Sequence, residues 1–237
     1  MPHDLFRIEN WEGIKLVVFD VDGTLYRQRA LRARMVRDLL LHSMATSTLK
    51  IIDVLRTYRR IRERLANEEF FDFEPILIEE TANATDISPN AVRAIVCEWL
   101  EKRPLPYLAR CRYPCLPELF AGLRRKKKVI GVLSDYPAHS KLSALGLSAD
   151  YVVSATDDGV SLLKPNPRGL LVLIASAGVR REEVVLIGDR AERDGIAARR
   201  AGVKVLIRST ALIEGWQTFA KFDDEIFEPM LVPPSGC

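Results

Sequence analysis

Asp20 and Asp22 stand two residues apart in Asp20-Val21-Asp22-Gly23-Thr24, directly after the apolar run Lys15 to Phe19. Two carboxylates so spaced in a turn can divide the work, one attacking as a nucleophile and the other moving protons. Gly23 lets the backbone turn sharply and leaves amides facing the same point. Ser134-Asp135 ends a second apolar run, where a hydroxyl and backbone amides can hold an anionic oxygen. Gly188-Asp189 ends another, with Asp194 five residues beyond, and Lys164 before Pro165 adds a fixed positive charge. Carboxylates gathered at one point repel unless a cation lies between them, and oxygen-only ligands select a hard ion such as Mg2+. These parts are what phosphoryl transfer needs, because charge on the transferring group must be neutralised and held in line.

The elements that would position these groups follow from the hydrophobic pattern. Unalternating apolar runs at Lys15 to Phe19, Lys128 to Leu133, Tyr151 to Ser154, Val184 to Ile187 and Val203 to Ile207 read as buried strands. Helical patterns lie between them: Leu116 to Arg125, Ser140 to Leu145, Pro167 to Ala177, and Arg193 to Ala201 closed by Gly202. The alternation predicts an α/β fold whose parallel sheet is covered by helices on both faces, with ligands at the strand C-termini. Residues 29–106 carry no strong strand signal. Leu31, Met35, Leu39 and Met44 mark one helix, and Ile51, Leu55, Tyr58, Ile61 and Leu65 a second. Ser88-Pro89 opens a third, with Ser88 as N-cap. The expected organisation is a core of residues 1–28 and 107–237 with a helical cap of residues 29–106, Arg103 to Pro106 being the return linker.

In its motifs the chain resembles the haloacid dehalogenase (HAD) superfamily of phosphohydrolases. The first is Asp20 to Leu25 (DVDGTL), the second the strand ending at Ser134, the third Lys164 in KPNP, and the fourth Gly188 to Asp194 (GDRAERD). The resemblance covers Lys15 to Ile207 and implies a Rossmannoid core with an inserted all-helical cap of the family's small type. By position it implies that Asp20 attacks phosphorus and forms an aspartyl-phosphate, while Asp22 protonates the leaving oxygen and then activates water. Ser134, Lys164 and the amides of Val21, Asp22 and Asp135 would grip the phosphoryl group. Mg2+ would be held by the Asp20 and Asp189 carboxylates and the Asp22 main-chain carbonyl, with Asp194 behind them or acting through water. The family's dehalogenases lack an acid two residues after the nucleophile, so Asp22 favours a phosphatase or phosphomutase over a dehalogenase. A phosphomutase of the β-phosphoglucomutase type, or a non-catalytic binding module, is the alternative. Arg190 stands where the family often has a small hydroxylic residue, and could reach the substrate or pair with Glu192.

Composition bounds the partners. A formal charge of +3 over 237 residues is too small to argue for nucleic acid, and 48% hydrophobic with 28% charged residues argues against a disordered chain. The basic run Arg124 to Lys128 reads as a solvated helix end. Cys111 and Cys115 have no second pair or nearby histidine, so free thiols are expected rather than zinc. Met1 to Asn10 lacks the apolar core of a secretory signal, and no run is long enough for a membrane span. The expectation is a cytoplasmic enzyme acting on a small phosphorylated metabolite; oligomeric state has no signature. The first half of the cap is basic and its second half acidic, which predicts that the two halves pair with each other. Arg27 and Arg29, directly after the first motif, are the candidate substrate contacts from the cap side. His139 lies near the second motif, His3 and His42 far from any.

Overall fold

A computed structural model describes residues 6–46 and 49–231. His3, Cys237 and the tail Pro233 to Cys237 lie outside the described residues. Six parallel strands form one sheet in the order β3-β2-β1-β4-β5-β6. They are β1 (Leu16–Phe19), β2 (Val129–Ser134), β3 (Tyr151–Ser154), β4 (Val184–Gly188), β5 (Lys204–Arg208) and β6 (Thr218–Phe219). Every residue of β1 is fully buried. The pleat sends Val17 and Phe19 to one apolar cluster with Ile130 and Ile187, and Leu16 and Val18 to another with Leu186 and Val205. Burial on both faces is why these strands read as continuous apolar runs rather than alternating ones. β6 escaped the sequence reading because two residues carry no period; its Phe219 stacks edge-on with Phe222 and Phe227 beneath Trp11.

The chain leaves β1 for β2 on one side and later returns to β4 on the other. Phe19 is in register with both Val132 and Ile187, so the residues after β1, β2 and β4 emerge at one level. That reversal of strand order opens a crevice at the C-terminal edge, the place where open parallel sheets bind ligands. The helices of this layer are α6 (Leu116–Arg125), α7 (His139–Leu145), α8 (Arg168–Ala177) and α9 (Ile196–Ala201), with a short α10 (Glu228–Leu231) at the end. A π-helical turn, Ala191–Gly195, precedes α9, so the expected helix starts three residues later than its pattern suggested.

Between β1 and β2 run α1 (Gln28–Thr46), α2 (Lys50–Asn67), α3 (Phe73–Thr85), α4 (Pro89–Val96) and α5 (Leu105–Cys111). Ser88 caps α4 as its position predicts, accepting from the Ala91 amide at 3.2 Å. α4 runs into a wide turn over Cys97–Lys102. The expected return linker is mostly helix: Pro104 and Pro106 stand at the start of α5, where the missing N–H is not needed. α3 went unread because isoleucines and threonines dilute its helical signal; Thr81 and Thr85 bond back to the carbonyls of Leu77 and Thr81, both at 2.7 Å. α2, α3 and α4 share an apolar cluster built on Val54, Leu65, Leu77 and Val92. The expected pairing of basic and acidic halves is seen at Arg64, which meets Glu68 and Glu80. Glu63 and Glu69 instead reach Arg190, Arg193 and Arg200, beyond the helical insert. The α1 stripe is also incomplete: Leu31 is buried but Met44 is 77% exposed. Among the described residues no helix is long and apolar enough to cross a membrane.

Candidate active site

The three strand ends bring their polar residues together. Asp20 continues β1, its amide donating to the Ile187 carbonyl at 2.9 Å. Its Oδ2 accepts from the Thr24 hydroxyl at 2.9 Å, and its Oδ1 from Lys164 Nζ at 2.5 Å. The same ammonium donates to Asp194 Oδ1 at 2.6 Å, while the Lys164 amide is fixed to Asp135 Oδ1 at 3.1 Å. The other oxygen of Asp194 accepts from the amides of Asp189 and Arg190 at 3.2 and 3.0 Å. Asp194 therefore shapes the loop after β4 and holds Lys164, with both its oxygens engaged by protein donors. Gly23, at φ +107°, lies so close to the Asp189 carboxylate that a Cβ would sit 2.1 Å from Oδ2.

Carboxylate oxygens of Asp20, Asp189 and Asp194 all fall within 4.8 Å of one another. The electrostatics register that crowding. Burial pushes Asp20 well above the usual carboxylate range; Lys164 pulls it back, and Asp194 and Asp189 push it up again. Burial and the Asp194 charge raise Asp189 to about 6. Lys164 is held well above its ordinary value, the loss of solvation outweighed by Asp194, Asp20 and Asp135. One buried lysine among three converging carboxylates leaves negative charge in excess, and the donors there are oxygens. Such a set fits a hard divalent cation of the Mg2+ kind.

Asp22 lies beside this group in a different environment. Lys141, on the first turn of α7 and only 5% exposed, donates to its Oδ1 at 2.6 Å and its Oδ2 at 2.7 Å, and the Tyr26 hydroxyl donates to Oδ1. Burial alone would raise Asp22, but the charge and hydrogen bonds of Lys141, helped by Tyr26 and Arg62, outweigh it and lower the carboxyl. Arg62 of α2 is buried as well; it donates to the Asp135 carbonyl and stacks 3.7 Å from the Tyr136 ring centre. Sequence reasoning missed Lys141 and Arg62. Lys141 had one legible signal: a helix leaving a strand's C-terminal end keeps its first turn near the carboxylates gathered there.

The remaining candidates divide. Ser134 is buried at the end of β2, its Oγ accepting from the Tyr136 amide at 3.2 Å. Arg190 lines the crevice but is paired with both Glu192 and Glu63, at 2.8 and 3.0 Å. Arg27 and Arg29 are exposed and do not line it; Arg27 lies over the Tyr113 ring because its amide is tied to the Cys111 carbonyl, which turns the side chain outward. Besides Arg62, the cap-side cations that reach the crevice are Arg32, Arg56 and Arg59, one or more turns further along α1 and α2. His139 is exposed. Above Asp20 and Asp22 the crevice opens into a cavity of about 750 Å³ between α1, α2 and the turn at residues 97–102.

Known proteins are similar to this chain in sequence and in fold. A phosphoglycolate phosphatase of Rhodospirillum rubrum is 27% identical over 202 residues, covering 82% of this chain and 79% of the relative. A glyceraldehyde 3-phosphate phosphatase of Methanopyrus kandleri is 28% identical over 203 residues, covering 82% and 84%. The fold matches a magnesium-bound HAD-hydrolase, YfnB of Bacillus subtilis, at TM-score 0.61 and 17% identity over 88% of this chain and 95% of that one. The sequence profile of the haloacid dehalogenase-like hydrolases spans residues 14–202, from the approach to β1 to the end of α9. That span holds all four polar loops at the sheet's C-terminal edge, and the chain belongs to the haloacid dehalogenase-like hydrolases.

Proposed function

We propose that this hydrolase is a Mg2+-dependent phosphatase that acts on a small phosphorylated metabolite through an aspartyl-phosphate on Asp20. The observation that carries the reading is the pairing of two carboxylates with opposite surroundings. Asp20 lies among carboxylates with Lys164 at 2.5 Å, and Asp22 lies apart from them with Lys141 and Tyr26. Different environments suit different tasks. In the first step an Asp20 oxygen bonds to phosphorus as the ester P–O bond breaks, and Asp22 gives its proton to the departing alkoxide. In the second, Asp22 takes a proton from water, the water oxygen bonds to phosphorus, and the acyl-phosphate bond breaks to restore Asp20 and free phosphate. Lys164 neutralises phosphoryl oxygens, as do the amides of Val21, Asp22 and Asp135 with Ser134 beside them. The Asp20 and Asp189 carboxylates and the Asp22 carbonyl would hold Mg2+, with Asp194 behind them. Bound there, the ion supplies charge neutralisation to the transferring group.

The lowered Asp22 favours its base form, the one needed against water; its acid form matters most for poor leaving groups. Residues 29–106 act as a cap over the site, with Arg62 and Glu63 tying α2 to the strand-end loops. The phosphatase names of relatives covered over four-fifths of this chain support a phosphate ester as substrate. The test is Asp20→Asn assayed with p-nitrophenyl phosphate and Mg2+. Loss of free-phosphate release supports the mechanism; undiminished turnover, or formation of an isomeric phosphate instead of free phosphate from a hexose 1-phosphate, overturns it.

A further inference from the structure

The wall of the cavity is out of character for a site that handles only a short polar phosphate. Its floor is charged, but one continuous side of the space above is apolar, built by Met35 and Leu39 of α1, Ile52 and Leu55 of α2, and Leu100 of the turn. These side chains present carbon and one thioether sulfur, a weak acceptor and no donor. Val36 and Leu40 continue the wall to the mouth while 53% and 51% exposed. A two- or three-carbon ester at the Asp20 floor would leave most of about 750 Å³ to water against an apolar surface. Along those five side chains a sugar's hydroxyls would meet no strong partner, the remaining polar lining beyond the floor being Gln28, Trp99 and the exposed arginines Arg32, Arg56 and Arg59, and a buried polar group without a partner is penalised. An apolar group would be favoured there, because it releases that water.

Charge is distributed to match. Arg32, Arg56 and Arg59 reach the cavity and form no hydrogen bond or ion pair among the described residues. Cations at the mouth draw in a dianionic phosphate without demanding a polar body behind it. The apolar wall and the carboxylate floor belong to one continuous cavity, so whatever fills the upper part stays attached to the group bound below.

Resting on the phosphatase reading above, we infer that the preferred substrate is a phosphomonoester of a large apolar alcohol, its carbon body lying between α1 and α2. The experiment measures kcat/KM for phosphate release from ethyl, butyl, hexyl and octyl phosphate with Mg2+. Alcohol acidity hardly changes along this series, so chemical reactivity is held level. At full burial each methylene is worth about fourfold in binding. Partial burial still predicts a rise of at least about 30-fold from ethyl to hexyl. Leu39→Asp should collapse the hexyl-to-ethyl ratio, and Leu39→Ala, the milder change, should reduce it in the same direction. A flat or falling series with intact turnover overturns the inference and leaves the phosphatase reading standing. A flat series together with concentration-dependent dimerisation that Leu39→Asp abolishes assigns the wall to a second copy of the chain. Failure to hydrolyse any ester, p-nitrophenyl phosphate included, removes the phosphatase reading itself.

Discussion

Gly23→Ala tests whether the geometry at the strand ends is as tight as it looks. A Cβ at residue 23 would lie 2.1 Å from Asp189 Oδ2 and 2.8 Å from Asp189 Cγ. To reach the 3.4 Å at which ordinary contact begins, the Asp189 carboxylate must retreat from 2.1 Å, a movement of about 1.3 Å. A misplacement of about 1 Å at a reacting centre costs on the order of 100-fold. The backbone adds a separate penalty, since φ +107° suits glycine and costs alanine roughly 1–3 kcal/mol. For a chain of this size that lowers Tm by about 4–8 °C at the middle of the range. The assay is p-nitrophenyl phosphate hydrolysis across a Mg2+ titration, with a thermal melt followed by circular dichroism. The expected result is a folded protein with kcat/KM down about 100-fold and a higher Mg2+ requirement, because Asp189 no longer stands where the ion would be held. Activity within about threefold of the parent at unchanged Mg2+ dependence would refute the reasoning.

Lys141→Met removes the cation that holds Asp22 down. Asp22 then titrates higher, so its proton-donating form persists to higher pH, and the alkaline limb of kcat/KM for an alkyl phosphate moves up by about one pH unit or more. An unmoved limb would show that Asp22 is not the acid. Glu63→Gln tests the tie between α2 and the π-helical turn. Burial alone would raise Glu63, but hydrogen bonds from Arg190 and Arg193 lower it to about 2. A carboxyl lowered on folding stabilises fully above its unfolded value of 4.5, and that stability is lost as pH falls toward 2. Glu63 is half exposed, so screening limits the effect to about 1 kcal/mol, or roughly 2–4 °C in Tm at neutral pH. The gap between variant and parent should close as pH approaches 2; a gap equal at both ends contradicts the pairing.

What the sequence revealed, and what it hid, follows the range of the interactions. The strands were legible because burial on both faces makes them continuously apolar, and their ends because Asp20, Ser134 and Asp189 each follow such a run. Lys164 was legible as a residue, but its bridge between Asp20 and Asp194 spans 144 and 30 positions and has no local trace. Lys141 was hidden for the same reason: its partner Asp22 is 119 residues away, and a single lysine in a short helix looks solvated. Arg62 disappeared into a basic run whose other members are mostly exposed; only tertiary packing selects the one that stacks on Tyr136. Arg27 and Arg29 misled because proximity in sequence was taken for proximity to the site. The helix that starts at Gln28 carries Arg32 to the crevice and leaves Arg29 exposed off it, while Arg27, before the helix, lies over the Tyr113 ring.

The central claim is covalent chemistry at Asp20, and trapping the intermediate tests it most directly. The protein is mixed with a phosphate ester and Mg2+, quenched in acid within one turnover, digested and analysed by mass spectrometry. A phosphoryl-sized mass gain is expected on the peptide carrying Asp20, absent from Asp20→Asn and lost on further incubation as free phosphate appears. Phosphate release at full rate with no label on Asp20 at any quench time would contradict it.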